Sequence, residues 1–130
     1  MSDACPCGRL NARGQGVPFD GCCARYLGTE TPAPDAESLM RSRYSAFVLE
    51  RSAYLLATWH SSTRPRELTL EPGVKWLGLA VKAHRVIDAD HAEVEFVARS
   101  RLGGRGQRLQ ERSRFVRESD RWWYVDGDLS

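Results

Sequence analysis

The spacing of the apolar residues changes its period once along the chain, and this change limits the fold more than any other feature. Within residues 36–60 the apolar side chains recur every three or four positions, which predicts two helices or one kinked helix. From residue 74 onward they alternate in four runs, with turn-forming residues between the runs. Helices followed by a meander of strands predict an α+β fold, in which the helices pack on one face of a four-stranded antiparallel sheet.

Prolines and a capping residue indicate where the parts of the chain join. Residues 27–34, LGTETPAP, contain two prolines and show no periodicity, which is typical of a linker. Asp35 follows as a candidate N-cap for the first helix. We therefore expect a cysteine-rich segment at residues 1–28, a linker at 29–34 and an α+β domain at 35–130.

Composition narrows the classes of function without naming one. A net charge of +2 over 130 residues is too small to indicate nucleic acid as a partner. The chain has no run of about 18 apolar residues, and its first residues lack the basic and apolar regions of a secretory signal. We expect a cytoplasmic protein that contacts no membrane. Arginines concentrate between Arg99 and Arg121, where they form either a solvated strand face or a surface for an acidic partner.

The cysteines of the chain are all clustered near its beginning. They are Cys5, Cys7, Cys22 and Cys23. A reducing cytosol disfavours disulfides, and adjacent Cα atoms about 3.8 Å apart are too close for an unstrained bridge between the last two. Cys5 and Cys7 point to the same side of an extended segment, and the glycines of the following loop allow it to turn back. The cluster predicts a structural zinc ion held by four thiolates, while a redox dithiol or four incidental thiols remain alternatives.

The letters CPCG at 5–8 and CC at 22–23 resemble the SEC-C motif, the zinc-binding tail known from the translocase ATPase SecA. The resemblance implies that all four cysteines are ligands of the metal. The loop of this chain is longer than that of the motif, and its only basic residues are Arg9 and Arg13. The motif also makes a protein partner of the cysteine-rich segment a candidate.

The rest of the chain resembles a known family through six short stretches. In order, they are LMRSRYSAFV, YLLATWH, WLGL, VEFVAR, ERSRFV and WWYVDG. Over nearly its whole length the sequence resembles the YchJ-like family of uncharacterised bacterial proteins. The resemblance implies a SEC-C motif followed by a curved, cone-shaped domain of the nuclear-transport-factor-two-like (NTF2-like), or ketosteroid-isomerase-like, fold. It implies a cavity between helices and sheet, which is a common place for a ligand, but no activity, because none is assigned to the family.

Polar and aromatic residues on the predicted helices and strands are candidates for the lining of this cavity. The pocket candidates are Tyr44, Trp59, His60, Trp76, Glu111, Ser113, Tyr124 and Asp126. Strand alternation places Glu111 on the face of Phe115. It places Asp126 on the face of Tyr124, so we expect both carboxylates to point inward. By the same alternation Glu95 is expected to point outward.

Two classes of function are compatible with these residues. One is a non-catalytic binding module, in which the zinc ion is structural and the protein binds a protein or a small ligand. The other is a small cofactor-free enzyme with a pocket carboxylate or His60 as general base. The chain contains no nucleophile elbow, phosphate loop or paired-histidine metal motif, and Glu111 also fits an ordinary cross-strand pair. The sequence therefore favours binding over catalysis.

Overall fold

The computed structural model describes residues 3–130 and shows the predicted α+β architecture. The helices and strands are α1 (Ala36–Val48), α2 (Ser52–Ala57), β1 (Lys75–Asp88), β2 (His91–Leu102), β3 (Arg105–Glu118) and β4 (Arg121–Leu129). Neighbouring strands are antiparallel, and the sheet has the order β1-β2-β3-β4. No helix among the described residues is long and apolar enough to cross a lipid bilayer.

Helix α1 begins where the sequence predicts its cap. The side chain of Asp35 accepts a hydrogen bond from the backbone N–H of Ser38 at 2.7 Å, which satisfies a free donor of the first turn. The helix ends at Val48, and Glu50 then takes a left-handed φ of 58°. Because this conformation interrupts the helical path, the structure contains two separate helices rather than one kinked helix, with α2 beginning at Ser52.

The segment after α2 pairs with the edge of the sheet instead of continuing the helix. Helix α2 ends at Ala57, short of the predicted end at His60. The N–H of Tyr124 donates to the carbonyl of Thr58 at 2.9 Å, and the N–H of His60 donates to the carbonyl of Tyr124 at 2.7 Å. These bonds cover part of the free edge of β4 and fix which side chains of the segment face the core.

Two of the three hairpin turns pass through left-handed residues. Gly103 and Gly104 have φ values of 59° and 80°, and Ser119 and Asp120 have φ values of 53° and 62°. Positive φ at both central residues is the mark of a type I′ turn, whose twist matches that of the flanking strands. Both turns lie between alternating runs of the sequence, where turn-forming residues are expected.

The sheet curves around helix α1. Register shifts in β1 fall at three places: Trp76/Gly78, Val81/Ala83 and Val86/Asp88. Such bulges bend a strand and increase its twist. The cysteine-rich segment lies against the edge of this strand at Gly8, where φ is 76° and an added Cβ would approach the carbonyl of Leu79 to 3.3 Å. A glycine is therefore required at this close approach.

Helix α1 lies at the centre of the core, between the sheet and the cysteine-rich segment. On one side Tyr44 meets Trp76 of β1, with ring centroids 5.6 Å apart. On another side the hydroxyl of Ser45 lies 3.6 Å from the Sγ of Cys5. The four cysteines and Tyr26 belong to the same buried cluster as the apolar residues of the sheet. The cysteine-rich segment thus shares one core with the helices and the strands.

Candidate metal centre and cone cavity

The four cysteine side chains converge in the structure. Their Sγ atoms all lie within 4.8 Å of one another, and each residue is at most 5% exposed. The sulfurs of Cys7 and Cys22 are 3.6 Å apart, and all four thiols are free. A tetrahedral zinc ion with Zn–S bonds of about 2.3 Å separates its sulfurs by about 3.8 Å. The spacing of the cluster therefore fits a metal ion with four thiolate ligands.

A short hairpin followed by two turns brings the cysteines together. Ala4 and Pro18 form an antiparallel bridge, so the chain returns beside its own start. Two 3-10 turns follow, at Phe19–Gly21 and Cys23–Arg25. They place Cys22 at the junction of the turns, and the side chains of both later cysteines point back to the first two.

Without a cation the four thiols cannot all ionise, because each charge would be buried beside the others. Hydrogen bonds from Cys23 and Cys7 hold the pKa of the Cys5 thiol well below its ordinary value. Burial, and then repulsion from Cys7 and Cys5, raises the pKa of Cys22 to about 12. The hydrogen bond to Cys5 raises the pKa of Cys23 above its ordinary value. A divalent metal would favour four thiolates and release the remaining protons.

Helix α1 holds the cysteine cluster in place through its polar side chains. Arg41 donates from Nη1 to the backbone carbonyl of Cys7 at 2.9 Å and from Nε to Glu37 at 2.8 Å. On the same helix Ser45 contacts the sulfur of Cys5. Partners of this kind orient the ligands of a metal site and are part of its design.

The second candidate site is a partly open cavity of about 170 Å³ between α1 and the sheet, which we call the cone cavity. Six of the eight pocket candidates line it: Tyr44, Trp59, Trp76, Glu111, Ser113 and Tyr124. Most of the wall is apolar. Trp59 and Tyr124 stand edge to face with ring centroids 5.1 Å apart. The other two candidates, His60 and Asp126, do not belong to the wall.

Glu111 is the carboxylate of the cone cavity. Its Oε2 accepts hydrogen bonds from the hydroxyl of Ser113 and, at 3.3 Å, from the hydroxyl of Tyr124. Behind it, a Cβ added to Gly127 would lie 2.5 Å from Oε2, so the glycine makes room for the carboxylate. Burial, followed by the charge of Glu111, raises the pKa of Tyr124 to about 12. The tyrosine therefore stays protonated and donates at neutral pH.

Arg43 is the cation of the cone cavity, and sequence reasoning missed it. It is 6% exposed, and its Nη1 donates to the carbonyl of Leu55 and the hydroxyl of Thr58, both at 2.7 Å. Its guanidinium lies 4.4 Å from the ring centre of Tyr124 and 5.2 Å from that of Trp59. Burial lowers its pKa to about 10, so it remains charged at neutral pH.

His60 lies on the far side of the segment that pairs with β4. Along an extended segment neighbouring side chains face opposite ways, and because Trp59 packs inward, His60 points away from the cavity. Its Nε2 lies 2.6 Å from Glu118 and its Nδ1 2.7 Å from the hydroxyl of Ser62. The expectation that His60 lines the pocket was wrong, so it cannot act on a ligand beside Glu111.

Asp126 faces outward because β4 contains a bulge. Phe115 lies opposite Tyr124, but its neighbour Arg114 lies opposite Asp126, so Val125 is the extra residue. An extra residue shifts the alternation of the strand by one position. Asp126 therefore pairs with Arg114 at 2.5 Å on the outer face of the sheet. The expectation that this carboxylate points inward was wrong.

Glu95 lies on the outer face, as the alternation predicts. It accepts a hydrogen bond from Gln110 at 2.8 Å, while the next residue, Phe96, lines the cone cavity. On the same outer face Arg114 also bonds Asp128 at 2.8 Å. Part of the arginine-rich stretch is thus an ordinary solvated network of cross-strand pairs.

The fold and the two sites define a class of protein: a small α+β cone domain with a buried N-terminal cluster of four cysteines. A family model described as the YchJ middle NTF2-like domain matches residues 35–127. A UPF0225 protein of Polaromonas naphthalenivorans is 65% identical, over 98% of this chain and 98% of its own. A UPF0225 protein of Bordetella parapertussis is 56% identical, over 97% of this chain and 92% of its own. The chain therefore belongs to the YchJ-like UPF0225 family, as its sequence predicts.

Two solved structures share the whole fold. The solution structure of a SEC-C motif containing protein from Rhodopseudomonas palustris has a TM-score of 0.82 and 30% identity, covering 100% of this chain and 99% of that chain. The crystal structure of a SEC-C motif containing protein from Psychrobacter arcticus has a TM-score of 0.79 and 31% identity, covering 98% of this chain and 82% of that chain. The cone architecture preceded by a cluster of four cysteines is thereby confirmed.

Proposed function

We propose that the protein is a non-catalytic binding module whose cone cavity takes a small, mostly apolar molecule. The observation that carries this proposal is a cavity of about 170 Å³ with an aromatic wall and two charged groups, Glu111 and Arg43. Protein interiors normally keep few voids larger than a water molecule. A concave apolar wall with a small number of placed polar groups is the usual form of a small-molecule site.

The cysteine cluster is proposed to hold a structural zinc ion. All four donors are sulfur, all are buried, and four ligands complete a tetrahedron without an open position, which is typical of structural rather than catalytic zinc. Elemental analysis after purification under reducing conditions should give about one zinc per chain, the capacity of a four-thiolate site. The variant Cys7→Ser should lose it. Metal-free protein with four reactive thiols would contradict the proposal.

The ligand proposal is tested with toluene, an apolar probe of suitable size, by NMR titration of the zinc-loaded full chain. We expect saturable shifts at the amides of the cavity wall. The variant Ala98→Leu fills the cavity, because Ala98 lies in its wall, and should abolish these shifts. The matched control Ala80→Leu adds the same atoms at an exposed position of β1 and should leave them unchanged. Shifts that persist in Ala98→Leu, or no saturable binding at all, would contradict the proposal.

A cofactor-free enzyme is the second candidate, and one observation favours it. Oε1 of Glu111 has no hydrogen-bond donor within residues 3–130, so it is free to take a proton from a bound molecule. Hydrogen–deuterium exchange at the α-carbon of cyclohexanone, followed by NMR, tests this directly. If Glu111 acts as a general base, exchange should be faster with the native chain than with Glu111→Gln. Equal exchange rates with the native chain and with Glu111→Gln would contradict the enzyme, and the binding module would remain the proposed function.

A protein partner of the cysteine-rich segment is also proposed. Support comes from Leu10, which is 61% exposed in the loop between Arg9 and Arg13 while the cysteines are buried. Arg9 pairs with Glu37 at 3.3 Å, whereas Arg13 is exposed. An exposed apolar side chain near an exposed cation suits an acidic surface with an apolar depression. The variant Leu10→Glu should lose a partner that the native chain retains in affinity capture, with Leu129→Glu, also at an exposed leucine, as control. Identical captured proteins would contradict this part of the proposal.

A further inference from the structure

We infer that the molecule bound in the cone cavity is neutral and carries an N–H or O–H group that donates a hydrogen bond to Oε1 of Glu111. This inference rests on the proposed function, because it names the chemical class of the ligand for the same cavity. It comes from three features of the cone cavity: a carboxylate with one oxygen that accepts no hydrogen bond from the described residues, a cation in the same wall, and the volume of the cavity.

Only one oxygen of the Glu111 carboxylate accepts hydrogen bonds from the described residues. Both of its hydrogen bonds, from Ser113 and Tyr124, reach Oε2. Oε1 receives none from any other described residue. An ionised carboxylate only accepts hydrogen bonds and has room for several. Oε1 is not among the buried atoms that lack a partner, so water can reach it while the cavity is empty. A ligand that displaces this water without donating a hydrogen bond would leave Oε1 unpaired in an apolar site, which is costly. A ligand that donates to Oε1 therefore gains more than an apolar molecule of the same shape.

The charges of the wall select a neutral donor. Arg43 and Glu111 both line the cavity, and their charges interact, but no ion pair joins them among the described residues. An anionic ligand would meet the carboxylate, and a cationic ligand would meet the guanidinium. In addition, either ion would lose its hydration inside an apolar wall. A neutral O–H or N–H group gains the hydrogen bond without either penalty.

The volume limits the ligand to about one ring. An apolar cavity of about 150 Å³ is known to bind benzene, and the cone cavity measures about 170 Å³. Trp59 and Tyr124, already packed edge to face, offer aromatic faces and edges to a ring. A phenol-sized molecule therefore has the expected dimensions and the expected donor.

The test compares four probes on the full zinc-loaded chain at neutral pH by NMR titration: phenol, anisole, benzoate and benzylammonium. Anisole is phenol with its O–H methylated, so the pair isolates the donor. We expect phenol to bind at least about tenfold more tightly than anisole, the scale of one hydrogen bond to a charged group. We expect both ions to bind more weakly than phenol. In Glu111→Gln the advantage of phenol over anisole should fall below about threefold, since the ionised acceptor is gone.

The outcomes separate the inference from the proposed function. If phenol and anisole bind equally in the native chain, the donor is not recognised and the inference is wrong, while the apolar cavity remains a ligand site. If benzylammonium or benzoate binds most tightly, the inference that the ligand is neutral is wrong. If neither these probes nor toluene bind, the proposed function fails and the inference fails with it. The ligand series alone decides these outcomes, so they do not depend on the folding of a variant.

Discussion

Arg41 on helix α1 donates from Nη1 to the backbone carbonyl of Cys7 at 2.9 Å. Its Nε is held by Glu37 of the same helix at 2.8 Å, so the guanidinium has a fixed position. Cys7 belongs to the cysteine cluster, and Tyr44, three residues after Arg41, lines the cone cavity. One helix therefore contacts both candidate sites, and a change in the metal centre is expected to reach the cavity through it.

Removal of the metal is expected to lower the melting temperature of the whole protein. An ion present at a thousand times its Kd stabilises the folded state by about 4 kcal/mol, which corresponds to about 10 °C or more in a domain of this size. Calorimetry on the reduced protein, before and after a chelator, measures the shift. Readdition of zinc is the control and should restore the transition. An unchanged transition would mean that the cluster folds independently of the shared core.

The division of the chain at residues 28 and 34 remains a prediction, and a chain that begins at Thr31 tests it. This chain keeps both helices and the four strands but loses the cysteines and Tyr26, which are buried in the shared core. We expect one cooperative unfolding transition, at a lower temperature than that of the full chain. A broad transition with exposed apolar surface would show that the cysteine-rich segment belongs to the folding unit.

The variant Arg41→Met removes one of the polar links between helix α1 and the candidate metal centre, while keeping an apolar stem of similar length. We expect a loss of about 1.5–3 kcal/mol in the free energy of unfolding, the scale of hydrogen bonds to a charged group. Metal affinity should fall about tenfold or more, as with other outer partners of metal ligands. Denaturant unfolding and competition with a chelator measure the two effects. Arg66→Met, at an exposed position, is the control and should change neither.

The elements of the fold were predictable because their signals are local. Asp35 caps helix α1 through a bond that spans three residues, and Ser119 and Asp120 form their turn from adjacent positions. The cysteine cluster was predictable for a different reason: thiol chemistry leaves few uses for four cysteines so close in sequence. The placement of Glu111 required only the alternation of one regular strand.

The remaining site residues depend on contacts that no local pattern contains. The bulge at Val125 exists only in the pairing of β4 with β3, and it turns Asp126 outward. The orientation of His60 depends on its pairing with Tyr124. The position of Arg43 in the sequence could have indicated that it is buried, because it lies three residues after Met40 on the face of helix α1 that packs against the sheet. A cation on the apolar face of a helix is costly unless it is paired, so such a residue indicates a buried polar site.

Glu111→Gln is expected to lower the free energy of unfolding by about 1–3 kcal/mol, the scale for disturbing a buried charge-assisted hydrogen bond. The native carboxylate accepts from Ser113 and Tyr124, and the amide reproduces its shape but not its charge. Denaturant unfolding at neutral pH measures the loss. Glu93→Gln, on the outer face without an ion pair in the described part of the chain, should stay within about 0.5 kcal/mol. Equal stability of the native chain and Glu111→Gln would mean that Glu111 is solvated.

The titration of the Tyr124 hydroxyl links the cone cavity to stability at high pH. Burial, and then the charge of Glu111, raises its pKa from 10.0 to about 12. A raised folded-state pKa means that the contribution of the neutral phenol is fully present below about pH 10 and is lost as the pH rises through about 12.

Ultraviolet titration of the phenolate in the native chain and in Tyr124→Phe measures this directly, and the difference between the two curves should be a single transition near pH 12. In Glu111→Gln the transition should move toward lower pH without reaching the ordinary value, because burial is the larger cause of the shift. Denaturant midpoints across the same pH range should fall less steeply in Tyr124→Phe than in the native chain. A difference curve centred at the ordinary tyrosine pKa would show that Tyr124 is solvated and that the cone cavity is open at this wall.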